Sequence, residues 1–210
     1  TRSVIRRFEV ERQALAVMDH PHIARVLDAG ASSDGRPYFV MDFVEGISIT
    51  KYCNTGELSL RARVGIMLKV CRAVEHAHQK GIIHRDLKPS NILIVEGDND
   101  PVPKVIDFGV AKAIDSMGSD MSLTVHDTVV GTPVYMSPEQ AFGDKVDIDT
   151  RSDVYSLGVL LYELLTGYTP LHRERMRKAG IDEVRQALRN IEPYRPCLLY
   201  TSDAADDSQC

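Results

Sequence analysis

No apolar stretch in this 210-residue chain reaches the length that a bilayer crossing needs. The longest candidate, Val154 to Leu165, is too short and carries Glu163. Nothing resembles a secretory signal. A basic excess is also absent: the formal net charge of −5 gives no electrostatic reason to expect nucleic acid or an anionic membrane as partner. The four cysteines, Cys53, Cys71, Cys197 and Cys210, form no Cys-x-x-Cys pair, and their spacing fits neither a zinc site nor a disulfide framework. A reducing cytoplasm is therefore the expected compartment. What the chain does have is 43% hydrophobic and 26% charged residues, the balance of a soluble globular protein with one large domain or two small ones.

The most informative stretch is Ile83-His84-Arg85-Asp86-Leu87-Lys88-Pro89-Ser90-Asn91, followed by the strand-like Ile92-Leu93-Ile94-Val95. A proline that forbids helix sits among a carboxylate, an amine and a carboxamide, with apolar residues on both sides to bury the ends. That spacing suits phosphoryl transfer, in which the protein mainly positions charges around an in-line displacement. Asp86 can accept the proton of an attacking hydroxyl, and Lys88 can offset the charge of the transferred group. Asn91 supplies an oxygen for a hard cation such as Mg²⁺, and Asp107, at the end of the apolar run Val105-Ile106 and before Phe108-Gly109, supplies a second.

The pairing of His-Arg-Asp-Leu-Lys-Pro-x-Asn with Asp-Phe-Gly resembles the catalytic loop and metal-binding turn of eukaryotic-type protein kinases. The flanks Arg36-Pro-Tyr-Phe-Val-Met-Asp and Val134-Tyr-Met-Ser-Pro-Glu-Gln resemble bacterial serine/threonine kinases of that family, and the likeness runs over roughly residues 3 to 196. It implies an α+β, two-lobed protein-kinase fold, with ATP and Mg²⁺ as cofactors and a protein as phosphoryl acceptor.

Carried onto this chain, the resemblance assigns further residues. The helical pattern of Ser3 to Met18 places Glu11 as the helix glutamate that pairs with a strand lysine. Ile23 to Ala29 and Tyr38 to Val44 read as strands, the second leading into a hinge. There Met41 would be the gatekeeper, the Asp42 carbonyl and Val44 amide would meet adenine, and Leu93 would form the floor of the slot. Ser59 reads as the N-cap of a long helix closed by Gly81, with Leu60, Val64, Met67, Cys71, Val74 and His78 on one side. Ordinary packing or exposure is expected for His76 and His78. His84 would stack with Phe108, Leu15 and Val26. The polar, Ser/Thr-rich run Asp115 to Asp127 would be the activation segment, bounded by Asp107-Phe108-Gly109 and Ser137-Pro138-Glu139. Arg85 could pair with a phosphate on it, Thr124 or Thr128 being favoured. Thr132 together with Lys88 is the arrangement of serine/threonine kinases, and it weakens a small-molecule-kinase reading. Asp153 would anchor the catalytic-loop backbone from a mostly apolar helix closed by Gly167. Ile181 to Ile191 reads as one more helix.

Parts of the family pattern are missing. Gly30, Gly35 and Gly46 do not form a Gly-x-Gly-x-x-Gly run, no Val-Ala-x-Lys occurs, and the arginine that usually pairs with Glu139 is not found. The chain begins at Thr1 and is expected to be a fragment: a partial kinase domain over residues 1–196, with a small-lobe remnant at 1–44 and a large lobe at 45–196. The string Cys197-Leu-Leu-Tyr-Thr-Ser-Asp-Ala-Ala-Asp-Asp207 resembles a translated transposase sequencing adapter. Residues 197–210 are accordingly expected to be foreign to the fold. The expected activity is ATP-dependent phosphorylation of serine or threonine, with this fragment itself inactive. The competing reading, a pseudokinase-type binding module, is opposed by the full set Asp86, Lys88, Asn91 and Asp107.

Overall fold

The computed structural model describes residues 18–32, 37–97, 100–108, 133–142, 148–171 and 180–196. Five strands and five helices follow in chain order: β1 (Val26–Ala31), β2 (Pro37–Met41), β3 (Ile47–Ser48), α1 (Ile49–Thr55), α2 (Leu60–Gln79), β4 (Ile92–Val95), β5 (Val102–Val105), α3 (Pro138–Phe142), α4 (Thr150–Thr166) and α5 (Ile181–Asn190). Single 3-10 turns occur at Pro89–Asn91 and Pro133–Tyr135.

β1 and β2 pair antiparallel, with Ala29 opposite Phe39. Alternation sets the faces from Asp28 on: Ala29 is buried while Tyr38 and Val40, opposite Gly30 and Asp28, point outward, and Leu27 is exposed at the register shift between Val26 and Asp28. The second sheet is β3-β4-β5, also antiparallel, with Ile47 opposite Ile94 and Ile92 opposite Val105. The run 23–29 does not form one strand as expected, because its first residues join the other sheet. Ile23 makes an isolated parallel bridge to Val105, the Val105 amide donates to the His22 carbonyl at 2.9 Å, and the Ala24 amide donates to the Val105 carbonyl at 2.9 Å. β2 likewise stops at Met41 rather than Val44, as residues 42–46 cross to β3. Gly46 is required on that path, since a Cβ there would lie 2.7 Å from the Ile94 carbonyl oxygen.

α2 is set by its ends and by one buried stripe. Ser59 Oγ accepts from the Ala62 amide at 3.3 Å, and Gly81 leaves the helix at φ +74°. Ile66, Met67, Val70, Ala73, Val74 and Ala77 are buried at helical spacing against α4 and β5. The face expected to lie inward began with Leu60 and Val64, which are 43% and 38% exposed. The first turn projects past the apolar core, and Arg63 holds it instead, donating to the carbonyls of Leu58, Cys53 and Leu164 and to Asn54 Oδ1.

α4 starts two residues before the expected motif, at Thr150, with Asp149 as N-cap accepting from the Arg151 amide at 2.8 Å, and ends at Gly167, φ +79°. Its apolar side, Val159, Leu160 and Leu164, enters the core, each fully buried side chain worth roughly 1.5–3 kcal/mol. The helix is not buried all round: Val154 is 61% exposed. Its other inward face is polar, consisting of Ser152, Asp153, Ser156 and Glu163. α5 buries Val184 and Ala187 and joins α3, with Arg185 Nε donating to the Ala141 carbonyl at 2.7 Å and the Arg189 guanidinium 4.5 Å from the Phe142 ring centroid.

Candidate active site

Residues 82–91 run between α2 and β4 with little regular structure, so side chains and neighbouring backbone must satisfy their polar groups. Asp153 of α4 supplies partners for two successive amides. Its Oδ1 accepts from the Arg85 amide at 2.8 Å, and its Oδ2 accepts from the His84 amide at 2.8 Å and from His78 Nε2 at 2.7 Å. Burial raises the Asp153 carboxyl, but the bonds from His78 and from the two amides outweigh it and hold the group below the ordinary carboxylate value. Periodicity had assigned His78 to packing or solvent. Its bond to Asp153 corrects that, because the helix places it directly over the start of the loop.

His84 is fully buried, and burial pushes its imidazole below the ordinary value despite the nearby Asp153 carboxylate. The ring is neutral with a defined tautomer: Nε2 donates to the Ile106 carbonyl at 2.9 Å, and Nδ1 accepts from the Asp86 amide at 3.3 Å. Phe108 stacks on it at 4.7 Å between ring centroids, and Val26 packs against the same core. His84 thus joins the loop to the strand exit that carries Asp107. A second tie runs from the Ile106 amide to the Asn91 carbonyl at 2.9 Å.

The polar trio comes together as a result. Lys88 Nζ donates to Asp86 Oδ2 at 2.6 Å, and Asn91 Nδ2 donates to the same oxygen at 3.2 Å and to the Asp86 carbonyl at 2.9 Å. Asn91 Oδ1 accepts from the Ser90 hydroxyl at 3.3 Å, and from no other group among the described residues. Asp107 is exposed at φ +63° and Arg85 lies at φ +69°, both in the left-handed region that non-glycine residues rarely occupy. Arg85 Nε is buried without a hydrogen-bond partner among the described residues.

At the hinge, Met41 ends β2 and Asp42 is fixed by Arg25, whose Nε and amide donate to Asp42 Oδ2 at 3.1 and 3.2 Å. Among the described residues no hydrogen bond engages the Asp42 carbonyl or the Val44 amide. Leu93 is half-buried in β4. A cavity of about 740 Å³ borders the hinge, lined among others by Asp42, Phe43, Val44, Val95 and Lys104. Met41, Leu93, Asn91 and Asp107 do not line it.

The segment after residue 132 returns to the loop through Glu139, which the resemblance singles out, and through Tyr135, Glu163 and Gln140, which sequence reasoning passed over. Tyr135 donates through its hydroxyl to Glu163, and its carbonyl accepts from Ser156 Oγ at 2.8 Å. Glu139 accepts from Ser152 Oγ at 2.5 Å. Partial burial raises the Glu139 carboxyl, yet hydrogen bonds from Ser152 and Ser137 and the nearby Arg151 leave it below the ordinary value. Gln140 Nε2 donates to the Arg85 carbonyl at 2.6 Å. Small polar residues recurring at 149, 152, 153 and 156 were the available signal for this face of α4. Glu11, Leu15, Gly109, Thr124, Thr128 and Thr132 lie outside the described residues.

A strand hairpin and hinge above a helical layer, with an Asp-Lys-Asn loop beside an Asp-Phe turn, define the class of protein kinase catalytic domains. The comparisons agree. The protein kinase domain family profile matches residues 2–207, and the chain belongs to that family. It is 38% identical over 95% of its length to the serine/threonine-protein kinase PknB of Mycobacterium tuberculosis, and 41% identical over 81% to Pkn1 of Myxococcus xanthus. The chain spans 31% and 24% of those two proteins. Among solved structures, the Mycobacterium tuberculosis PknI kinase domain superposes with a TM-score of 0.60 at 26% identity, over 90% of this chain and 80% of that one.

Proposed function

We propose that this domain transfers the γ-phosphoryl group of ATP to a serine or threonine hydroxyl of a protein, as the names of its bacterial relatives describe for them. The observation that carries the reading is the shared Asp86 Oδ2. With Lys88 and Asn91 both donating to it, Asp86 Oδ1 is left to accept the proton of the attacking hydroxyl. Lys88 Nζ then lies beside the developing charge of the transferred group. Asn91 Oδ1 and the Asp107 carboxylate are hard oxygen donors and fit Mg²⁺. Among the described residues no cluster of three His, Cys, Asp or Glu could hold a metal alone, which suits an ion completed by substrate phosphates. When bound, Mg²⁺ would neutralise phosphate charge. The Asp42 carbonyl and Val44 amide offer adenine an acceptor and a donor, with Met41 and Leu93 as apolar walls. Arg85 would receive a phosphate at Thr124 or Thr128, Thr132 together with Lys88 would mark the serine/threonine class of acceptor, and Glu11 would pair with a lysine.

No described helix is long and apolar enough to cross a membrane. Cys53 and Cys71 are free thiols, which supports action in the reducing cytoplasm. A Gly-rich phosphate cover and a Val-Ala-x-Lys lysine are not in the 210 residues, and positioning is most of the catalysis in this class. The chain alone is therefore expected to be inactive or slower by several orders of magnitude, behaving as a nucleotide-binding module. Supplying those two elements together with the arginine that pairs with Glu139 should restore transfer, and Asp86→Asn or Asp107→Asn should then abolish it without unfolding the protein. Transfer from γ-labelled ATP to a generic basic protein tests this. A folded, supplemented protein that transfers nothing across metals and substrates would move the reading to a pseudokinase.

A further inference from the structure

Gln140 is not used by the chemistry above, yet its carboxamide spans two parts of the site. Oε1 accepts from the Ser137 amide at 3.0 Å, and Nε2 donates to the Arg85 carbonyl at 2.6 Å. That carbonyl belongs to the peptide group whose nitrogen is the Asp86 amide. The N–H end of the same peptide donates to His84 Nδ1 at 3.3 Å. Both ends of the plane preceding Asp86 are thus held by side chains, and the residue before it, Arg85, lies at φ +69° with its own amide fixed on Asp153. A left-handed arginine persists only where its surroundings over-determine it.

We propose that Gln140 is a positioning residue that holds the Arg85–Asp86 peptide, and through it the Asp86 carboxylate, in register with the segment ending at Ser137. This rests on the kinase reading of Asp86. The residue type follows from the two bonds: one group must accept from Ser137 and donate to Arg85 at once, which a carboxamide can do and an ionised carboxylate of the same shape cannot. A shift of Ser137 would reach the Arg85–Asp86 peptide through this side chain.

Gln140→Glu in the full 210-residue chain tests it, read by NMR hydrogen exchange of the Asp86 amide relative to the amides of α2. At pH 7 the carboxylate keeps the Ser137 bond and loses the donor, so Asp86 protection should fall about tenfold, the scale of one net hydrogen bond. As the pH is lowered to about 4 the acid regains a proton to donate, and protection should return to within about twofold of the unmodified chain at the same pH. Gln140→Leu should lose protection at every pH. Unchanged protection in Gln140→Glu at pH 7, or a loss that persists undiminished at low pH, would overturn the proposal. No phosphoryl transfer is read, so a negative result here leaves the kinase reading standing, and an inactive chain does not affect this outcome.

Discussion

Helices α2 and α4 lie against each other and bury opposite kinds of surface. α2 turns six apolar residues inward and is held by shape. α4 contributes Val159, Leu160 and Leu164 to the core but also buries Ser152, Asp153, Ser156 and Glu163. Each of these polar groups has a partner: Glu139 for Ser152, the loop amides and His78 for Asp153, the Tyr135 carbonyl for Ser156 and the Tyr135 hydroxyl for Glu163. An apolar stripe tolerates small slides of its neighbour, whereas a hydrogen-bonded one fixes direction. The catalytic loop and the returning segment both attach to the directional face.

Breaking that face should cost most. Asp153→Ala leaves the His84 and Arg85 amides and His78 Nε2 without their acceptor in a buried site, and a loss of about 3–5 kcal/mol is expected in urea denaturation. A loss below about 1 kcal/mol would mean that the loop is held elsewhere. On α2, Met67→Ala should cost about 2–5 kcal/mol by leaving a cavity, while Leu68→Ala, one residue on and 54% exposed, should stay within about 0.5 kcal/mol. Equal costs at 67 and 68 would contradict the buried stripe.

Acid should separate the two regions by pH, with the smallest effect. Burial holds the imidazoles of His20, His22 and His84 below the ordinary value of 6.5, so the unfolded chain takes up protons first and stability begins to fall as the pH drops below about 6.5. Asp153 is held below its ordinary 3.8, so its contribution is present above that value and is lost as the pH falls through the folded value. Guanidinium denaturation across pH 7 to 2 should show two limbs. His22→Gln should shallow the upper limb and Asp153→Asn the lower, to which Glu139, Asp42 and Asp149, also held below their ordinary values, contribute as well.

The elements were largely legible because their signals are local. Ser59 and Gly81 bracket α2, Gly167 closes α4, and the trio Asp86, Lys88 and Asn91 sits within six residues around a proline. The misread parts were long-range. Ile23 reads as strand in either sheet, and only contact with Val105 assigns it to β5. The α2 face was misplaced by its first turn because Arg63, a charged residue, replaces apolar packing there through carbonyls up to 101 residues away.

By itself, the sequence determined the longer helices α2, α4 and α5, most of β1, β2 and β4, the kinase family and the residue types that phosphoryl transfer needs, since propensity, capping and motif spacing act over a few residues. Only the tertiary structure decided that His78 serves Asp153, that Gln140 reaches the Arg85 carbonyl and which two successive amides donate to Asp153 in the backbone-anchoring role expected of it. Hydrogen bonds depend on distance and direction between groups 55 to 75 residues apart, and no periodicity along the chain encodes those.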